Sequence, residues 1–200
     1  MLLHAFVSRS HANGPGRRCV IYFQGCSLGC RGCWNSNTHR FRGDETSTAE
    51  IVERVLHAWT AQRLDGITFS GGEPMQQAEA LIELLQIIRG VIPGASFGMF
   101  TGYTEDEVNS GQYITHLKAD LNRKRELWAA VRTHLDFAVM GRYDASRPAA
   151  DPLRTSRNQQ LRLFNSRYSE SDFGPQLVEV TLQPDGHSLI SGFPVRGQIL

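Results

Sequence analysis

Three cysteines, Cys26, Cys30 and Cys33, fall within eight residues in the spacing C-x3-C-x2-C, with Gly25, Gly29 and Gly32 interleaved. Such a group requires a loop that gathers its thiols, and clustered thiols in a reducing compartment serve more often as metal ligands or in catalysis than as disulfides. Just upstream, Cys19-Val20-Ile21-Tyr22-Phe23 is β-branched and aromatic, which predicts a strand leading into the loop. Cys19 is read as a core residue of that strand. A cubane iron–sulfur cluster has four irons, normally held by four cysteines, so three ligands leave one iron open to a small molecule. Glycine tolerates positive φ and lets backbone amides approach the cluster sulfurs. The competing reading is a structural zinc site with His39 or Cys19 as fourth ligand, although C-x3-C-x2-C is not among the usual zinc spacings.

Beyond the loop, strand and helix signals take turns. Ser47 followed by Glu50 is a capping-box pattern, and Ile51, Val52, Val55, Leu56 and Trp59 behind it recur at helical spacing. Ile67 to Phe69 reads as a short buried strand, Ala78 to Ile88 as a helix and Phe97 to Thr101 as a third strand. Thr104 with Glu107 opens a short helix, Leu121 to Leu135 holds another, and Phe137 to Met140 is a strand stopped by Gly141. An irregular stretch with Pro148 and Pro152 precedes a strand near Gln160 to Phe164. This alternation predicts βαβ units around a parallel sheet. In the last 35 residues, Leu177 to Leu182 alternates with period two, Pro184-Asp185-Gly186 is a turn, and Ser188 to Ser191 returns. That pattern is an antiparallel hairpin, expected to pack at a sheet edge.

A length of 200 residues predicts one domain, and 21 basic against 20 acidic residues give no electrostatic reason for a nucleic-acid or anionic-membrane partner. No apolar run approaches the roughly 18 residues that span a bilayer. Met1-Leu2-Leu3-His4 lacks a signal-peptide pattern, so a soluble cytoplasmic protein is expected.

A second motif, Ser70-Gly71-Gly72-Glu73-Pro74, sits where a strand hands over to a helix, on the ligand-binding edge of an α/β sheet. Its glycines allow close approach of the backbone to a ligand, and Glu73 offers a carboxylate acceptor for an ammonium group. Pro74 suits a first helical turn. Alone, the motif reads as a tight turn with a solvated Glu. One βα unit after a cysteine loop, it reads as half of a binding site.

The two motifs together resemble the radical S-adenosylmethionine enzymes. Asn13-Gly14-Pro15-Gly16-Arg17-Arg18-Cys19, then Gly25-Cys26 through Cys30-Arg31-Gly32-Cys33-Trp34-Asn35, is similar to the opening of the anaerobic ribonucleoside-triphosphate reductase activating proteins. Phe100-Thr101-Gly102-Tyr103 and Asn158-Gln159 resemble that group's downstream motifs, and the likeness covers residues 4 to 164. It implies a partial, open (β/α) barrel, with a radical S-adenosylmethionine core over 1–164 and a C-terminal hairpin extension over 165–200 on the same domain. It also implies a [4Fe-4S] cluster on Cys26, Cys30 and Cys33, with S-adenosylmethionine chelating the open iron. Gly71, Gly72 and Glu73 would position the methionine ammonium. Thr101 and Tyr103, at a strand's carboxyl end, are read either as adenosine contacts or as a helix-entry turn, and Asn158 either as bonding cofactor or lid or as loop structure. Reductive cleavage would give methionine and a 5′-deoxyadenosyl radical, which takes hydrogen from a glycine of a partner glycyl-radical enzyme. The electron donor would be a flavodoxin or ferredoxin. His39, Arg40 and Arg42 form a small basic stretch, read either as a docking point for such a donor or, as charge runs usually are, as solvated surface.

The chain departs from its relatives at several places. Met140-Gly141 stands where they tend to carry Asp-Gly, Ser156-Arg157 replaces Gly-Ser before Asn158-Gln159, and the terminal hairpin is extra. These leave open a radical enzyme acting on another peptide or a small molecule, and a non-catalytic iron–sulfur or zinc module. Arg17 and Arg18, after a Gly-Pro-Gly turn, are read either as facing a partner or as solvated surface. Trp34 is read as a shield for the cluster or as a packing aromatic.

Overall fold

The computed structural model describes residues 1–182 and 188–193. In chain order the elements are β1 (Leu3–Ser10), β2 (Arg18–Phe23), α1 (Thr48–Gln62), β3 (Gly66–Gly71), α2 (Ala78–Val91), β4 (Ser96–Thr101), α3 (Glu105–Ser110), α4 (Leu121–His134), β5 (Phe137–Met140), β6 (Gln160–Leu163), β7 (Val178–Leu182) and β8 (Ser188–Gly192). The first six strands form one sheet in sequence order. β2 to β5 run parallel, while β1 and β6 close the two edges antiparallel. None of the helices among the described residues is long and apolar enough to cross a membrane.

Strand alternation sorts the side chains onto two faces. Cys19, Ile21, Phe23, Ile67, Phe69, Phe97, Met99, Ala138 and Met140 meet the apolar faces of α1, α2 and α4 in the main core. The Cys19 thiol is buried there, and burial raises its pKa to about 12. Helix ends follow the sequence closely. Ser47 caps α1 by accepting from the Glu50 amide, and Thr104 with Glu107 completes a reciprocal capping box on α3.

The other face carries a buried cation. Arg18 is fully buried and donates to the Thr68 hydroxyl at 2.7 Å, the Ile67 carbonyl at 2.8 Å and the Ser96 carbonyl at 3.1 Å, with Pro15 O at 3.1 Å. Its guanidinium lies 5.0 Å from the centre of the Phe137 ring, and desolvation lowers its pKa. Arg18 is therefore neither a surface group nor a partner contact. Its hydrogen bonds join the start of β2 to β3 and β4. Arg17 instead pairs with exposed Asp65 at 3.6 Å. Arg18→Met keeps the bulk but strands several buried acceptors, so it is expected to cost about 2–4 kcal/mol. Urea denaturation of the two proteins measures it.

Two features differ from the sequence reading. β1 was not foreseen: register irregularities after Leu3 and after Val7 break its period-two alternation. The hairpin forms a separate two-stranded sheet instead of joining a sheet edge. Its polar side chains find partners on the end of β1, the segment after it and Tyr22 of β2. The Glu179 carboxylate accepts from the amides of His11 at 2.9 Å and Ala12 at 3.3 Å and from the Ser10 hydroxyl. Ser191 Oγ accepts from Asn13 Nδ2 at 2.7 Å and is hydrogen-bonded to Tyr22 OH at 2.9 Å. The expected turn Pro184-Asp185-Gly186 lies outside the described residues.

Candidate active site

The carboxyl ends of β2 to β5 open into one cavity of about 150 Å³. That is far more than the roughly 10–15 Å³ one water needs, so an organic ligand rather than a single ion sets its scale. Cys26, Cys30 and Cys33 line it together with Gly71, Gly72, Glu73 and Thr101. The two motifs, some forty residues apart in sequence, meet because β2 and β3 are parallel neighbours whose last paired residues are Phe23 and Gly71.

Backbone contacts lock the two motifs together. The Gly72 amide donates to Phe23 O at 2.7 Å, and the Glu73 amide to Gly25 O at 2.9 Å. Gly71 has φ of +98°, and a Cβ on Gly72 would lie 2.3 Å from Gly25 O, so the turn and the loop touch backbone to backbone. Gln76 supports the loop from below. Its Oε1 accepts from the Ser27 amide at 3.0 Å, while Nε2 donates to Ser27 Oγ at 2.7 Å and Tyr103 OH at 2.8 Å.

Glu73 is buried and largely satisfied by this chain itself. Oε1 accepts from the Met75 amide at 3.0 Å and the Thr101 hydroxyl at 2.8 Å, and Oε2 accepts from the Gly102 amide at 2.7 Å. A carboxylate has about four lone-pair sites, so one acceptor site remains over. Burial pushes its pKa up to about 7, opposed by those hydrogen bonds and by Arg142. A raised carboxyl pKa means that folding favours the neutral form. This contribution to stability is full below the ordinary value of 4.5 and is lost as pH rises through about 7. In the cluster-free protein, wild type is therefore expected to lose about 3 kcal/mol relative to Glu73→Gln between pH 4.5 and pH 8. Urea denaturation of both proteins at the two pH values reads the difference.

Thr101 lines the cavity, with its hydroxyl donated to Glu73 and accepting from the Tyr103 amide at 3.2 Å. Asn158 does not line the cavity. Its Nδ2 donates to Arg142 O at 2.7 Å, its Oδ1 is buried without a hydrogen-bond partner, and the neighbouring Gln159 is part of the wall. Trp34 is exposed at the rim and also lines the cavity, as does His39. Sequence reasoning missed Gln76 and the hairpin residues Ile190, Gly192 and Phe193 of the wall. Adjacent glutamines one residue beyond the Gly-Gly-Glu-Pro turn were the available signal for Gln76. Nothing local marked the hairpin.

The thiols suit a cluster. All three are free and half-buried. Burial raises Cys26 to about 12 and raises Cys33, so binding them as thiolates calls for a strong local cation. Among the described residues, no three His, Cys, Asp or Glu side chains converge closely enough to hold one metal ion. A cubane does not need that convergence, because its thiolates bind separate irons.

Residues 12–162 match the family described as "4Fe-4S single cluster domain". The anaerobic ribonucleoside-triphosphate reductase-activating protein of Vibrio cholerae is 30% identical over 171 residues, covering 82% of this chain and 99% of that one. Its counterpart in Escherichia coli K12 is 33% identical over 116 residues, covering 56% and 75%. The pyruvate formate-lyase-activating enzyme of Clostridium pasteurianum is 37% identical over 90 residues, covering 44% of this chain and 38% of that enzyme. With a cysteine loop and a glycine-rich turn on one cavity and relatives of this kind over most of its length, the chain belongs to the 4Fe-4S single cluster domain family, in its radical S-adenosylmethionine activase branch.

Proposed function

We propose that this chain generates a glycyl radical on a partner enzyme, first among candidates an anaerobic ribonucleoside-triphosphate reductase. The observation that carries the proposal is the shared cavity, with three thiols on one wall and Gly71 to Glu73 on the next. Cys26, Cys30 and Cys33 would hold the [4Fe-4S] cluster, with three ligands for four irons leaving room for S-adenosylmethionine. When bound, the cluster would supply the one-electron chemistry that cleaves S-adenosylmethionine to methionine and a 5′-deoxyadenosyl radical. The remaining residues bind, orient and exclude water. Gly71 and Gly72 bring backbone close to the methionine end, and Glu73 offers its spare acceptor site to the ammonium. Thr101 acts through Glu73 as a brace and forms part of the wall on the adenosine side. Asn158 acts through Arg142 and the neighbouring Gln159.

The sheet, with helices on one face and the cavity at its strand ends, supports a partial open (β/α) barrel over 1–164, with an extension from 165 onward. On and just after the cysteine loop, Trp34 and Phe41 are exposed, as are Arg31, Arg40 and Arg42. This apolar and basic rim suits an acidic low-potential donor such as a flavodoxin or ferredoxin. Reduction by such a donor should slow as salt rises, because the charges that steer the encounter are screened.

The test is anaerobic reconstitution with iron and sulfide, followed by reduction with S-adenosylmethionine and the reductase of the same organism. Release of 5′-deoxyadenosine together with a glycyl radical signal on the reductase is the expected result. Cofactor cleavage stimulated by a different molecule, with no radical on the reductase, would overturn the target. A colourless protein holding one zinc per chain would overturn the enzyme.

A further inference from the structure

Three residues of the cavity wall, Ile190, Gly192 and Phe193, come from the end of β8 and the residue after it. Phe193 packs its ring against Phe100 of β4 with centroids 5.6 Å apart. Gly192 has φ of +95°, and a Cβ there would lie 2.2 Å from Leu177 O and 2.7 Å from the Ala12 side chain, so this position admits only glycine. The chain thus presents a glycine of its own, at the end of a strand, to the cavity where the proposed activity requires a glycine from another protein.

The manner of attachment points the same way. The hairpin turns polar groups toward the body: Glu179 to Ser10, His11 and Ala12, and Ser191 to Asn13 and Tyr22. Four of its apolar residues are exposed, Val178 at 41%, Val180 at 60%, Leu182 at 78% and Ile190 at 45%. Cross-strand pairs Val178↔Gly192 and Val180↔Ile190 put this stripe on the same face as the cavity-lining residues. An element held by a few polar ties and one aromatic contact, with its Val178–Val180–Leu182 stripe uncovered, lacks the extensive burial that makes packing permanent.

We infer that β8 holds, in the free protein, the place that the glycine-bearing segment of the protein substrate takes during activation. This rests on the function proposed above. Two chains cannot fill one volume, so the incoming segment displaces Ile190 to Phe193. It then meets the groups that the hairpin covered, Tyr22, Asn13 and Phe100, while the Val178–Val180 stripe lies beside the entry. The hairpin acts as a competitor in cis that sets how tightly a protein substrate must bind.

Competition has a kinetic signature. Glu179→Ala in the full chain cuts the tie to three donors and raises the fraction of chains with the hairpin displaced. The apparent KM for the reductase should fall by about fivefold or more with kcat unchanged, because apparent affinity scales with the competent fraction. Ser191→Ala, which cuts the second tie, should act in the same direction and stands in if the first variant folds poorly. In cluster-free protein, amide hydrogen exchange at residues 188–192 should accelerate in both variants, and in wild type on adding the reductase. A synthetic peptide copying residues 177–193 should inhibit activation by Glu179→Ala competitively with the reductase. Unchanged exchange at 188–192 on adding the reductase, or a loss of kcat with KM unmoved, would make the hairpin a fixed wall and overturn the inference. A reductase that binds, with accelerated exchange at 188–192, but acquires no radical would overturn the function and leave the displacement standing.

Discussion

Cys30→Ala is expected to bring cleavage of S-adenosylmethionine below detection. The loss should exceed the 100-fold or so that accompanies removal of a mere outer-shell partner at a metal site. The reason is that the chain has no substitute thiol. Cys19, the fourth cysteine, is fully buried and belongs to the core between sheet and helices, on the side of β2 away from the cavity. Cys26 and Cys33 cannot hold the cluster as a pair with one iron vacant by design and another vacated by mutation. Iron and sulfide content, visible absorbance and 5′-deoxyadenosine yield after anaerobic reconstitution measure the effect. Cys19→Ala is the matched control and should keep full iron content. A Cys30→Ala protein with undiminished iron and cleavage would remove this residue from the cluster.

The second large effect belongs to a glycine. Gly72→Ala would set a methyl group 2.3 Å from Gly25 O and 2.8 Å from Gly25 C, atoms of another backbone that cannot rotate away. The strain falls on the residue immediately before Cys26 and on the hydrogen bond from the Glu73 amide to Gly25 O. Turn and loop must therefore separate, pulling the methionine-binding side from the iron side. A loss of about 100-fold or more in kcat/KM is expected, corresponding to at least ~2.7 kcal/mol of transition-state binding. Overpacking should also cost about 1–3 kcal/mol of stability. Gly94→Ala meets nothing within 4 Å and should be neutral in both respects. Activity of Gly72→Ala within a factor of two of wild type would show that turn and loop need not touch.

Much of this arrangement was legible in the residues because its signals are local. The cysteine spacing, the Gly-Gly-Glu-Pro turn and the caps at Ser47 and Thr104 each act within a few positions, and strand alternation then brings them to one end of the sheet. What escaped depends on tertiary context. Arg18 follows a surface-type turn, yet its burial comes from Thr68, Ile67 and Ser96 on other strands. Strand β1 lost its alternation to bulges. The hairpin was recognised as a hairpin, but its position is set by the fit of Glu179 and Ser191 to the β1–β2 segment, more than 160 residues away in sequence. The Glu73 carboxylate was foreseen as a ligand group, whereas the donors that occupy most of it come from Thr101 and Gly102 on the next strand end.

The stretch from Cys26 to Ser47 rests lightly on the rest of the protein, for Thr38 is its one buried residue. The large core between the sheet and α1, α2 and α4 takes only Leu28 from it, and that residue is partly buried. Loss of the iron to oxygen or chelators is therefore expected to leave the scaffold folded. A sample bleached in air should keep its circular dichroism and thermal transition, and should regain its colour when iron and sulfide are returned. Damage and repair at this centre then become a matter of refilling a vessel that never lost its shape.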